Sequence, residues 1–229
     1  MAMRLVDLSQ EIYQGMPVFP LHQKTFIFQN ITHEECKQKL NSNLGFATRN
    51  LLLNEHGPTH CDAVYEYNPD GPTIEKMPLE YFWGSAICLD LSHVPASRYI
   101  TPEDLQAALG KSGQVIRKGE IVLLYTGHYD RAYGTGAWLT VYTGLNREAA
   151  RWLAERGVVN IGVDAPAIDH PDDPEFSGHA VCGEYGMTNT ENLCNLGQLV
   201  NRRFLYFGLP LKIRDGTGSP IRAVAIVED

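Results

Sequence analysis

The sequence predicts an α/β fold, a mixed β-sheet or barrel core flanked by helices. Three observations lead there. Residues 121–126, Ile-Val-Leu-Leu-Tyr-Thr, have the pattern of a buried strand stopped by Gly127. Residues 145–156 carry Leu145, Ala149, Trp152 and Leu153 at helical spacing and are closed by Gly157. A second strand, residues 158–163, follows at once. Strand, helical connection and strand in that order form a parallel βαβ unit.

The other elements follow in chain order. Residues 4–8 read as a short strand. Residues 13–20 hold two prolines and two aromatics and read as an extended arm: a surface loop over the core, in preference to an aromatic wall or a dimer arm. Leu51, Leu52 and Leu53 read as strand; Gly57 and Pro58 then exclude a helix, so residues 56–62 are a strand end or turn. Residues 86–91 are a strand. Thr101 is an N-cap with Pro102 in the first helical position and Asp104 in the first turn, and Gly110 ends that helix. Asn189, Thr190 and Glu191 open another helix, with Leu193, Leu196 and Leu199 on one stripe. Strands at 203–207 and 221–227 close the chain, with a tight turn over 215–220. No repeat or linker divides the sequence, so residues 1–229 are expected to form one domain.

Composition narrows the partners. The 229 residues carry a formal net charge of −8 and no Lys/Arg cluster, which argues against nucleic acid. No segment approaches the ~20 apolar residues of a membrane span, and the N-terminal residues lack the apolar core of a signal peptide. The cysteines, Cys36, Cys61, Cys88, Cys182 and Cys194, are odd in number and form no CxxC. Reduced thiols in a cytoplasmic protein are the simplest reading. Each is expected to be a small buried filler, with Cys61 as a soft metal ligand the alternative.

The sharpest chemistry lies in His56, His60 and Asp62, three metal-ligand side chains within one short run. If residues 59–63 are extended, His60 and Asp62 point to one side and Cys61 to the other. A second set is His179, in a loop or helix start, and Glu191, near a helix N-terminus. Alone, His179 reads as a satisfied polar residue and Glu191 as a helix-dipole partner. Together the three imidazoles and two carboxylates suit Zn²⁺ or Mn²⁺, one ion or two bridged by a carboxylate. Such an ion lowers the pKa of its water and polarises a carbonyl, which is hydrolytic chemistry. No G-x-S-x-G serine elbow is present, and Gly134 to Gly136 lacks the third glycine of a dinucleotide fingerprint. His22, His33 and His93 read as surface residues, and His128 as surface rather than pocket. His170 is expected near the site because it follows Asp169. Asp164 and Asp169 read either as acceptors that orient metal-bound histidines or as turn caps.

The run from His56 to Glu66 is similar to the motif H-x-G-T-H-x-D-A-P-x-H. With Asp70-Gly71-Pro72, the run from Gly162 to Asp169, Glu191-Asn192-Leu193 and the ending from Pro210, the chain resembles the cyclase superfamily, which holds bacterial kynurenine formamidases, isatin hydrolases and related lactone or lactam hydrolases. The resemblance implies a cyclase-like swivelling β/β/α core and a metal centre of His56, His60, Asp62, His179 and Glu191. Zinc is the implied ion, or manganese as in the isatin branch, and the implied assembly is a homodimer or homotetramer. It also implies a small-molecule substrate, with a metal-bound hydroxide attacking the carbonyl of an amide, formamide or lactam.

Four positions depart from the motifs. Pro58 replaces a glycine, Val64 a proline, Ala167 a serine, and Glu66 the histidine that shuttles the proton. Glu66 can do that work if burial raises its pKa; it can instead join the metal shell, or be exposed with no role. The expected activity is therefore arylformamidase-like, with Glu66 passing a proton to the leaving nitrogen. The alternatives are a lactone hydrolase or cyclase on the same scaffold, or a metal-binding module without turnover.

Overall fold

Runs that are apolar on both faces need cover on both faces, and the chain supplies it by winding helices and loops around a central parallel ladder. The computed structural model describes residues 3–228; residues 1, 2 and 229 of the expected domain lie outside the described residues. The chain runs through β1 (Met3–Asp7), β2 (Phe26–Ile31), α1 (His33–Leu40), β3 (Thr48–Leu52), β4 (His60–Asp62), β5 (Trp83–Asp90) and α2 (Pro102–Ser112). It continues through β6 (Ile121–Tyr125), α3 (His128–Ala132), α4 (Arg147–Ala154), β7 (Asn160–Val163), α5 (Ser177–Tyr185), β8 (Thr188–Glu191), β9 (Arg203–Phe207), β10 (Gly218–Pro220) and β11 (Val224–Glu228).

Nine strands form one curled mixed sheet in the order β1-β11-β9-β5-β6-β7-β8-β4-β10. The run β5 to β8 is parallel, with α2 in the first crossover and α4 in the second, as the βαβ pattern predicts. The remaining pairs are antiparallel. Strands β2 and β3 stand apart as a two-stranded ribbon.

Side chains alternate across the ladder and build two cores. On one face Ile87, Leu89, Val122, Leu124, Ile161 and Val163 pack against Leu105, Leu153 and Val181 of the helices. On the other face Ala86, Cys88, Ile121 and Leu123 pack against Leu193, Leu196, Leu199 and Tyr206. All five cysteines are buried and free.

Several local expectations need correction. α2 passes through Gly110 to Ser112 and is closed by Gly113 at φ 65°. Its start is as read: the Thr101 side chain accepts from Asp104 N–H while the Asp104 carboxylate accepts from Thr101 N–H. The helix expected from Asn189 does not form. Thr188–Glu191 is strand, paired in parallel with β7 and antiparallel with β4. Asn192 and Asn195, at φ 58° and 60°, then break any helical path. The leucine stripe is real, but it is carried by a loop and a single 3₁₀ turn at Leu196–Gln198. The 215–220 turn ends as a strand: Gly218–Pro220 adds to the edge of β4.

Candidate metal centre

Gly57 and Pro58 turn the chain into β4, whose pleat sends His60 and Asp62 to one side and Cys61 to the other. Cys61 enters a small apolar cluster with Ala63, Val64, Ile74, Met77 and Phe82, and burial pushes its thiol well up, against a role as a ligand. The β4–β8 register sets His60 opposite Glu191. Glu191 therefore arrives on a strand, not at a helix N-terminus. His179 arrives as the third residue of α5, in the first turn. His56 precedes β4 and is fixed by its backbone N–H donating to Asn54 Oδ1 at 2.9 Å.

Two sets of ligand atoms result, His56–His60–Asp62 and Asp62–His179–Glu191, each lying within 4.8 Å of one another. Asp62 belongs to both. His60 Nε2 is 3.3 Å from Asp62 Oδ1 and 3.5 Å from Glu191 Oε2. His179 Nε2 is 3.4 Å from Asp62 Oδ2 and 3.1 Å from Glu191 Oε1. His56 Nδ1 is 2.7 Å from Asp62 Oδ1. Ligands about 2.0–2.1 Å from a tetrahedral ion stand about 3.3 Å apart, so the donor set fits a divalent cation.

Each imidazole is held through its other nitrogen. His60 Nδ1–H donates to the Pro58 carbonyl at 2.8 Å. His179 Nδ1–H donates to Asp169, whose other oxygen accepts from Gly178 N–H. His56 Nε2 lies 2.8 Å from Thr217 Oγ1, which donates to Glu55, so the threonine accepts from the ring. This is how metal-ligating histidines are oriented in general. Of the two candidate orienting aspartates, Asp169 does this work. Asp164 caps the turn at Thr126 and Gly127 instead.

The electrostatics favour positive charge here. Burial pulls the His60 and His179 pKa values down, but the carboxylates around them prevail and hold both well above the ordinary imidazole range. Burial pushes Asp62 up, yet His60 and His56 hold it well below the usual carboxylate range. Glu66 differs: burial, reinforced by the Asp62 charge, pushes it up to about 10. Its Oε1 is 3.6 Å from His56 Nδ1, and its buried Oε2 has no hydrogen-bond partner.

A cavity of about 120 Å³ opens above the cluster, with Phe19, His22, Glu66, Tyr67, Ala167 and Phe176 in its wall. The Tyr67 ring stacks on His179 at 4.4 Å between centroids. Two wider grooves of about 510 Å³, beside Arg98 and beside His128, hold no such cluster; the donor atoms rather than the volume mark the site.

Sequence reading missed parts of this site. The arm carries Phe19 into the wall, with His22 just beyond it in the chain, so it forms an aromatic wall and not a surface loop. His22, expected at the surface, sits 5.7 Å from His56 ring to ring and has an unpartnered Nδ1. Asn189, two residues before Glu191, touches Asp62, His179 and Glu191; alternation along a strand would have found it. His128 is buried, 2.8 Å from the Trp138 carbonyl, and not at the surface. His170 contacts the Ala96 carbonyl and Tyr99, away from the cavity wall. His33 and His93 are exposed as expected.

Comparison with known proteins adds an independent line. The Cyclase family model, described as Putative cyclase, matches residues 6–170. A kynurenine formamidase of Bordetella petrii is 29% identical over 223 residues, covering 96% of this chain and 97% of its own. One of Bacillus mycoides is 27% identical over 219 residues, covering 96% and 95%. The solved structure of isatin hydrolase A from Ralstonia solanacearum superposes with a TM-score of 0.87 at 27% identity, covering 99% of this chain and 92% of that one. His179 and Glu191 lie beyond the family-model match but within the span of the whole-chain matches.

Proposed function

The chain belongs to the Cyclase family, and from that premise we propose that it is a metal-dependent hydrolase of a non-peptide C–N bond in a small amide, formamide or lactam. The kynurenine formamidases and the isatin hydrolase it resembles support the substrate class. His56, His60, Asp62, His179 and Glu191 would hold the cation, Zn²⁺ or Mn²⁺, as one ion or two. When bound, such a cation activates water and polarises the substrate carbonyl.

The chain's own residues do the rest. Glu66, whose carboxyl is pushed up by burial and the Asp62 charge, hands its proton to the leaving nitrogen as the C–N bond breaks. Water then restores that proton. Phe19, Tyr67 and Phe176 pack the substrate and exclude bulk water. The observation that carries this reading is the anchoring of three imidazoles through their outer nitrogens, so that their inner nitrogens meet two buried carboxylates beneath an aromatic cavity.

The single domain works in the cytoplasm, in keeping with five unpaired cysteines. No described helix is long and apolar enough to cross a membrane. A second copy of the chain covers the β2–β3 ribbon, which leaves Phe26, Phe28, Leu51 and Leu52 exposed. Glu66 in the histidine's place favours one second reading, lactone hydrolysis or ring closure on the same scaffold.

The test is a panel of aryl formamides, cyclic imides, isatin and lactones, run on chelator-stripped protein reloaded with Zn²⁺ or Mn²⁺. Turnover of a C–N substrate only after reloading is the expected result. Turnover confined to lactones selects the second reading. Tight ion binding with no turnover on any substrate overturns both and leaves a metal-binding module.

A further inference from the structure

An asparagine is a costly residue in a buried strand, where a branched apolar side chain packs better and needs no partner. Asn189 is 2% exposed on β8, between a parallel and an antiparallel neighbour. It lies on the same face as Glu191. Its amide therefore has a defined task. Nδ2 donates to Asp62 Oδ2 and, at 3.1 Å, to Glu191 Oε1, and it lies 3.2 Å from His179 Nε2. Those are the three atoms that a cation in the Asp62–His179–Glu191 set would need. A cation about 2.1 Å from each would press against the amide hydrogens and compete for the same oxygens.

Both carboxylates are split in the same sense. Asp62 gives Oδ2 to the amide and turns Oδ1 toward His56 and His60. Glu191 gives Oε1 to the amide and to Ile168 N–H, and turns Oε2 toward His60. Among the described residues, no amide N–H donates to the inward atoms of the His56–His60–Asp62 set. One half of the cluster is thus satisfied by the protein's own donor, and the other half is not.

We propose that Asn189 restricts the centre to a single divalent cation, held by the His56–His60–Asp62 set. His179 then keeps the two carboxylates in place. This rests on the metal-centre reading above and narrows its five groups to three. Asn189 is a positioning residue that sets how many ions the site takes.

The test is metal stoichiometry. Wild type, Asn189→Ala and Asn189→Asp are stripped with chelator, titrated calorimetrically with Zn²⁺ and with Mn²⁺, and assayed for bound metal after dialysis. Wild type is expected to saturate at about one ion per chain. Both variants are expected to saturate at about two, the aspartate more tightly because a carboxylate replaces the donor. Asn189→Asp is nearly isosteric, so it decides the matter if the alanine variant fails to fold. Wild type at two ions, or a folded aspartate variant still at one, overturns the proposal and leaves the metal centre standing. Wild type that takes up no ion overturns the metal centre itself.

Discussion

At the scale of the residue, the candidate centre works by holding side chains in one orientation. Glu66 is a buried carboxyl with one oxygen unpartnered. Glu66→Gln keeps the shape and removes the transferable proton. It is expected to lower kcat by about 10²–10⁴ with bound metal unchanged, read by steady-state kinetics and elemental analysis on one sample. Asp169→Asn keeps a hydrogen bond to His179 but removes the charge that fixes the ring. Metal affinity is expected to weaken by about 10–100-fold, measured by competition with a chromophoric chelator. His56, His60 and Asp62 were legible in the sequence because seven positions hold all three. His179 and Glu191 were legible only in combination with that trio, since nothing local marks either. Thr217 and His22 had no signal, because their roles come from loops that meet the site only after folding.

At the scale of the element, strands β6 and β7 and helix α4 could be read because each is built from its own short-range pattern. β8 was misread because four buried polar and charged residues do not look like a strand, and a leucine stripe just beyond them imitates a helix. Its partners on both sides decide it, and those lie far away in sequence. The cap of α2 gives a prediction with a sign. Arg98 and the Thr101 donors hold Asp104 down to about 2, below the ordinary 3.8. The folded state therefore binds that proton less readily than the unfolded chain. The stabilisation is complete above about pH 4 and is lost as pH falls toward 2. The stability gap between wild type and Asp104→Asn, measured by urea unfolding, is expected to narrow steadily as the pH falls from about 4 to about 2. Gly144 supports the loop that carries Asp169: a Cβ there would lie 2.0 Å from the Asp169 carbonyl carbon. Gly144→Ala is expected to cost about 1–3 kcal/mol and to weaken metal binding with it, since the displaced backbone is the one that aims His179.

At the scale of the whole molecule, the fold class was legible and the order of the strands was not. Alternating strands and helices announce a parallel ladder, but nothing in the sequence says that β4 and β10 will extend it beyond β8. A cation bound at the seam between β4, β8 and α5 ties together segments more than a hundred residues apart. At a free concentration of 100 times its Kd it adds about 2.7 kcal/mol to the folded state. For a chain of this length, that is about 5–10 °C in Tm. Scanning calorimetry with and without chelator is expected to show that drop, and a Tm indifferent to chelation would contradict a metal held in common by those segments.

The pairing of His60 with Glu191 has one more consequence. A single residue gained or lost inside Thr188–Glu191 would invert its pleat. Glu191 and Asn189 would then turn to the far side, and a lineage could abolish the chemistry by an indel that left every ligand codon intact.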